Sequence, residues 1–326
     1  MPAYSKKILL FLTILIFSLL VLSHGNSYDQ EQIEPGVTFS IQKAKKLDLN
    51  WEKAYLATLE DLQVKKIRIP AYWNQVEPEN DNYQWEELDW QLKKAKENNV
   101  EVILAVGQRL PRWPECHFPS WTQGLSQDQR RKELLDYIER TINRYKDKEN
   151  IVAWQVENEP YLSSYFGRCP STEEEFLDKE IATVKKLDDR PIVITDSGEL
   201  SLWVPAARRA DIFGTTMYKD TYSETLDSYI HYPIGPGFFH FKKNVSQIFA
   251  DAQKWIVIEL QSEPWGPKPY QELTPEERRK TMTPEKMKEI TENSHRILLE
   301  KYTTTKMAQK TLAEYKKIVY DEKYKI

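Results

Sequence analysis

The sequence predicts an α/β fold: a parallel barrel of strands with helices on its outside. Three observations carry this. Strand-like runs alternate with helical segments seven times in one direction, and helical crossovers between successive strands make a sheet parallel. No glycine-rich phosphate loop follows any strand, so a nucleotide-binding open sheet has no support. Polar side chains gather just past the strand ends, at Tyr72, Trp73 and Asn74, Gln108 and Arg109, Asn158 and Glu159, Tyr218, and Glu259 and Gln261. The C-terminal mouth of an eight-stranded α/β barrel collects its functional groups at those places.

The elements follow in order. Val37–Ser40 is a weak first strand, and Trp51–Leu62 the helix after it. Lys66–Pro70 is the second strand, followed by a long loop and a helix near Glu86–Asn98. Val100–Val106 is the third, followed by a proline-rich loop and a helix near Gln127–Lys146. Ile151–Val156 is the fourth, with a helix near Glu173–Leu187. Ile192–Asp196 and Ile212–Met217 are the fifth and sixth, separated by a short helix around Leu202–Arg209. A helix near Phe239–Ala252 leads to the seventh strand, Trp255–Leu260. Thr283-Pro284-Glu285 then starts a helix that should run to about Lys301, because Thr caps the free amides and Pro fits the first turn.

Composition bounds the function. The chain has 326 residues, 40% hydrophobic and 29% charged, which is enough apolar material for a sizeable core and too much for a disordered chain. Its net charge of −4 offers no basic field to hold a phosphate backbone, so nucleic acid is not an expected partner. The 10 Trp and 18 Tyr supply flat amphipathic rings that suit sugar faces as well as a core. Lys6 and Lys7, the apolar run Ile8–Leu22, and Ser23 and Gly25 follow the order of a secretory signal cut after Gly25. A retained N-terminal anchor is the alternative, although fifteen apolar residues fall short of the roughly 20 that span a bilayer. The expected location is therefore secreted or extracytoplasmic, with membrane contact only through an uncleaved segment. Cys116 and Cys169 fit an exported protein with one disulfide, and no CxxC or HExxH pattern suggests a metal. No metal or cofactor is expected. The organisation read from this is residues 1–25 as signal or anchor, 26–301 as the barrel, and 302–326 as a Lys-rich helical tail.

Strand parity places the chemistry. In the second strand Ile67 and Ile69 share one face and Arg68 takes the other. In the seventh, Ile256 and Ile258 share a face, with Val257 and Glu259 opposite. If the isoleucines pack on the outer helices, Arg68 and Glu259 point into the mouth. In the fourth, Val152, Trp154 and Val156 face the helices, and Glu159 has the inward parity of Ala153 and Gln155. Glu157 has that nominal parity too. Two carboxyls across one mouth suit cleavage of a glycosidic bond, where one group protonates the departing oxygen and the other attacks or stabilises the anomeric carbon.

Asn158-Glu159-Pro160 after the fourth strand, with Glu259 after the seventh, resembles the retaining (β/α)8 TIM-barrel glycoside hydrolases of the clan that includes the cellulase-like family 5 enzymes. Arg68-Ile69-Pro70-Ala71-Tyr72-Trp73, Val76-Glu77-Pro78 and Tyr218 extend the resemblance, which covers roughly residues 36–301. It implies that Glu159 is the acid/base and Glu259 the nucleophile, that Asn158 holds the sugar 2-hydroxyl, and that Arg68 and Tyr218 keep Glu259 ionised. Trp73, Trp113, Trp121 and Trp265 are candidates for stacking on sugar rings, with Gln261 as a further substrate-binding residue. Glu263 reads as a loop or subsite residue.

The sequence departs from the family pattern in two places. Gly107-Gln108 stands where a His follows the third strand, and the eighth strand–helix unit is missing or divergent. After Lys301, Ala308, Leu312, Tyr315 and Val319 recur at helical spacing, so residues 306–320 read as one amphipathic helix. The function expected is a monomeric, exported, retaining glycoside hydrolase that cleaves β-linked oligo- or polysaccharides. The alternative is a catalytically impaired carbohydrate-binding barrel without a complete eighth strand.

Overall fold

The computed structural model describes residues 35–162, 169, 172–218, 220–223, 228–232, 234–261 and 274. The N-terminal segment 1–25, Glu263, Trp265, the helix expected from Thr283 and the tail 302–326 lie outside the described residues.

Seven parallel strands form one sheet, in the order β1 (Gly36–Thr38), β2 (Lys66–Pro70), β3 (Glu101–Val106), β4 (Ile151–Val156), β5 (Ile192–Asp196), β6 (Ile212–Met217) and β9 (Lys254–Leu260). Sequential order with every pair parallel is the topology of a TIM barrel whose eighth unit is incomplete among the described residues. A two-stranded antiparallel hairpin, β7 (Asp220–Ser223) with β8 (Ser228–His231), stands in the loop after β6 and was not expected from the sequence. The helices are α1 (Ile41–Lys46), α2 (Trp51–Glu60), α3 (Trp73–Val76), α4 (Glu86–Glu97), α5 (Gln127–Tyr145), α6 (Glu174–Leu187), α7 (Val204–Ala207) and α8 (Pro236–Gln247). Local chemistry starts several of them. Asn50 accepts the Lys53 amide at 2.9 Å ahead of α2, and Ser126 and Gln129 form a reciprocal capping box at the head of α5.

The core lies between strands and helices. Ile67, Ile69, Val102, Leu104, Trp154 and Ile194 pack in one cluster with Leu88, Leu92, Leu134, Ile138, Leu177 and Val184 of the helices. Burial of this apolar surface, at roughly 25 cal/mol per Å², drives the layer together. The opposite parity carries smaller or polar residues, with Arg68, Ala105, Gln155 and Thr195 all buried. Strand period alone thus separates a greasy outer layer from a polar lumen.

The seventh barrel strand, β9, corrects the sequence reading. Trp255 packs on Phe213 at 4.8 Å between ring centroids and on Trp203 at 6.3 Å, so it belongs to the outer layer. A side chain at Gly214 would meet both Thr195 and Ile258, which puts Ile258 on the lumen side. Ile256 and Ile258 therefore face in, not out. A β-bulge then intervenes: Thr215 pairs with Val257, but Thr216 pairs with Glu259. One extra residue resets the alternation and returns Glu259 to the mouth. Bulges next to functional sites commonly re-aim a side chain in this way.

Candidate active site

The mouth is built from the ends of β2, β4, β5, β6 and β9. Arg68 is 2% exposed and its guanidinium spans the lumen. Nε donates to Thr38 Oγ1 at 2.9 Å, Nη1 to Gln155 Oε1 at 3.2 Å and Asn158 Oδ1 at 3.4 Å, and Nη2 to Glu259 Oε1. Tyr218 donates its hydroxyl to the other oxygen of Glu259 at 2.5 Å. Burial alone pushes a carboxyl pKa up. Here the Arg68 and Arg112 charges and the Tyr218 hydroxyl outweigh it and hold Glu259 below its usual value.

Glu159 sits in the contrary environment. It is 8% exposed, its backbone amide donates to Thr195 Oγ1 at 2.8 Å, and Oε1 accepts from Thr216 Oγ1 at 3.1 Å. Burial first, and then the negative charges of Glu259 and Glu115, raise its pKa well above the ordinary carboxylate range. The Thr216 hydroxyl is itself fixed by the Gly198 amide at 3.0 Å. Gly198 allows this approach, since a β-carbon there would stand 1.9 Å from the Thr216 carbonyl oxygen. Two carboxyls in one mouth are thus driven apart in proton affinity, the usual arrangement of an acid beside an anion.

Glu157 is separated from Glu159 by backbone geometry. Both residues have positive φ, 59° and 47°, so the period-2 alternation ends with β4. The Glu157 carboxyl turns under the loop after β3, accepting the Gln108 amide at 2.9 Å and the Arg109 amide at 2.7 Å. Its other neighbour is the buried carboxyl of Glu180 on α6. Burial and the Glu157 charge push Glu180 well above its usual range, so Glu180 keeps the proton of the pair. Gly107 makes room for this, with φ of 130° and a position where a β-carbon would stand 2.6 Å from Glu157 Oε1.

Residues 35–235 match the sequence profile of Cellulase (glycosyl hydrolase family 5). The chain belongs to glycosyl hydrolase family 5. Relatives by sequence are more remote. The β-galactosidase BgaA of Clostridium cellulovorans is 23% identical over 174 residues, covering 47% of this chain and 26% of that protein. The β-galactosidase LacZ of Lactobacillus acidophilus is 21% identical over 133 residues, covering 36% of this chain and 20% of that protein. The chain therefore matches about a quarter or less of the length of these curated relatives. Among solved structures, a psychrophilic glycoside hydrolase family 10 endo-β-1,4-xylanase superposes with a TM-score of 0.51 at 15% identity, over 85% of this chain and 82% of that one. This likeness speaks for the barrel fold.

On this family 5 barrel, the structure brings Arg68, Asn158, Glu159, Tyr218 and Glu259 together at one mouth. Cys116 and Cys169 are joined by a disulfide with a Cα–Cα distance of 5.2 Å, tying the loops after β3 and β4. Trp113 stands in the loop after β3 and is 41% exposed. Two candidates are corrected. Trp73 is 0% exposed, stacks on Tyr137 at 5.7 Å and donates to Glu77 Oε2 at 2.7 Å, so it is a core residue without a face for a sugar. Trp121 packs edge-on against Trp73 and donates to the Glu77 carbonyl at 3.1 Å, which gives it a loop-packing role. Gln261 is spent on the backbone of Asp220, accepting its amide at 3.0 Å and donating to its carbonyl at 2.8 Å. These two bonds hold the hairpin to β9. Sequence reasoning missed Thr195 and Thr216, because hydroxyls inside β-branched strands read as ordinary strand formers.

Proposed function

We propose that this chain is an exported retaining glycoside hydrolase that cleaves β-O-glycosidic bonds in oligo- or polysaccharides. The observation that carries it is the placement of two carboxyls at one mouth in contrary surroundings, Glu259 against Arg68 and Tyr218, and Glu159 against Thr216 with no cation bonded to it among the described residues. Glu259 is held ionised by Arg68 and Tyr218, and Glu159 is held protonated by burial and like charge. In the first step Glu259 Oε attacks the anomeric carbon while Glu159 gives its proton to the departing glycosidic oxygen. The aglycone leaves as an alcohol, and a glycosyl ester remains on Glu259. In the second step Glu159, now a carboxylate, takes a proton from water as that water attacks the same carbon and displaces Glu259. Asn158 contacts the sugar 2-hydroxyl, and Trp113 offers a ring to a sugar further along the chain. The protein acts as a monomer on carbohydrate and draws on no cofactor. The disulfide and the basic, apolar, small order of residues 6–25 support export.

The direct test is a panel of aryl β-glucosides, β-galactosides, β-mannosides and β-xylosides, with β-glucans and β-mannans, assayed with wild type and Glu159→Gln. Turnover of at least one substrate that collapses in the variant is expected. Sugar binding without turnover by either protein would overturn the hydrolase reading in favour of a carbohydrate-binding barrel.

A further inference from the structure

The mouth holds a third carboxyl that the mechanism above does not use. Glu115 lies on the returning limb of the loop after β3, and the loop fixes it closely. Arg109 and Cys116 form a bridge between the loop's two limbs. The Leu110 amide donates to the Glu115 carbonyl at 2.8 Å, the Glu115 amide to the Arg112 carbonyl at 2.9 Å, and the His117 amide to the Gln108 carbonyl at 2.9 Å. Tyr72, itself buried, donates its hydroxyl to the Pro111 carbonyl at 2.8 Å, and the disulfide anchors the outgoing end at Cys116. Arg112 and Glu115 both hold positive φ, 94° and 71°, which non-glycine residues keep only where the surroundings over-determine them.

This scaffold sets the Glu115 carboxyl against Asn158. The orientation of that amide is dictated from its other side. Arg68 Nη1, Gln155 Nε2 and Thr195 Oγ1 lie 3.4, 3.2 and 3.4 Å from Asn158 Oδ1, so the oxygen faces donors and Nδ2 faces outward. Nδ2 then donates to Glu115 Oε2 at 3.3 Å. An amide has two hydrogens, and this contact uses one of them. A ligand hydroxyl placed beside the pair can accept from Asn158 and donate to Glu115 at once. A hydrogen in its place meets neither group.

We propose that Glu115 is a specificity-determining residue of the glycone site, accepting a hydrogen bond from the sugar hydroxyl that Asn158 also contacts. The inference rests on the hydrolase reading, and it assigns that site to sugars carrying a free hydroxyl at C2. Removal of one member of such a polar pair erases discrimination between substrates that have and lack the hydroxyl, because the cost of leaving buried polar groups unpaired is what enforces it.

The test compares wild type, Glu115→Ala and Glu115→Gln on one aryl β-glycoside that the wild type hydrolyses and on its 2-deoxy counterpart. Glu115→Ala is expected to lower kcat/KM on the 2-hydroxy substrate by about tenfold or more while changing the 2-deoxy substrate by about threefold or less. Glu115→Gln, which keeps an acceptor oxygen, is expected to fall between them. If the alanine variant does not fold, the glutamine variant carries the same comparison. An equal loss on both substrates marks a structural role and overturns the proposal, as does no loss on either. A wild type active on glycosides with an unchanged ratio sinks this inference alone. A wild type inert on every glycoside sinks the hydrolase reading and this inference with it.

Discussion

At the scale of single residues, catalysis by this mouth depends on which carboxyl keeps its proton. Glu159 has to donate, so activity is present below its pKa and lost as pH rises through it. Glu259 has to be ionised, so activity is present above its pKa and lost as pH falls through it. With Glu159 raised and Glu259 lowered, kcat/KM is expected to trace a bell. Its alkaline limb should lie well above the ordinary carboxylate range. Glu159→Gln should lower kcat by about 10²–10⁴-fold and remove that limb, as a pH–rate profile would read. An alkaline limb that persists in the variant belongs to another group. Glu180 offers a separate check on stability. Burial, and then the facing Glu157 carboxyl, raise its folded pKa above its unfolded one. Stability is then full below the unfolded pKa and declines as pH rises from the ordinary carboxylate range toward the folded value. Glu180→Gln retains a donor without the charge. It should raise the denaturation midpoint at pH 8 and flatten its pH dependence, by an amount equivalent to about 1–3 kcal/mol. A variant less stable than wild type at both pH 5 and pH 8 contradicts the assignment of the proton.

At the scale of elements, the strands were legible, and the irregular backbone at the bulge and just past β4 was not. Lys66–Pro70, Ile151–Val156, Ile192–Asp196 and Ile212–Met217 follow from β-branched runs between helical segments, with the bounds the structure gives. The placement of Arg68 and Gln155 in the lumen followed from parity alone. Parity failed where the backbone leaves the β region. Glu259 was placed in the mouth by an alternation that is inverted in the structure, and a bulge after Val257 brings it there. Glu157 and Glu159 were equivalent by parity, and two left-handed residues separate them. Trp73 illustrates another limit. Position just past a strand does not distinguish a ring facing the mouth from one folded back on α5, and contact with Tyr137 decides it. The pairing of Cys116 with Cys169 was readable from neighbouring loops. Its sequence separation of 53 corresponds to roughly 4 kcal/mol of lost unfolded-state entropy in chain-closure models. The double variant Cys116→Ser/Cys169→Ser should therefore show a markedly lower denaturation midpoint, and its loop carrying Glu115 should become more protease-sensitive. An unchanged midpoint means that the crosslink adds nothing beyond the packing around it.

At the scale of the whole molecule, two features meet: a nearly closed barrel and a mouth that uses opposite strands. No residue of β9 is fully buried, and Val257 and Leu260 are 47% and 48% exposed. Residues 302–326, whose apolar positions recur at helical spacing, are our candidate cover for that side. Deleting them should lower the midpoint of thermal unfolding and raise binding of a hydrophobic dye, and a deletion variant indistinguishable from the full chain would remove the tail from this role. The mouth draws on distant strands: Glu159 follows β4, Glu259 is the penultimate residue of β9, and Arg68 of β2 links the two sides through Asn158 and Glu259. The central claim is that Glu259 becomes covalently attached to the sugar. The measurement that bears on it most directly is the product formed by Glu259→Ala in the presence of azide. Loss of the nucleophile should lower turnover by roughly a thousandfold or more. Azide should restore turnover by occupying the vacated space and attacking the anomeric carbon, giving a glycosyl azide of inverted configuration by NMR. Near-wild-type hydrolysis by the alanine variant without azide, or a rescued product of retained configuration, would contradict the account.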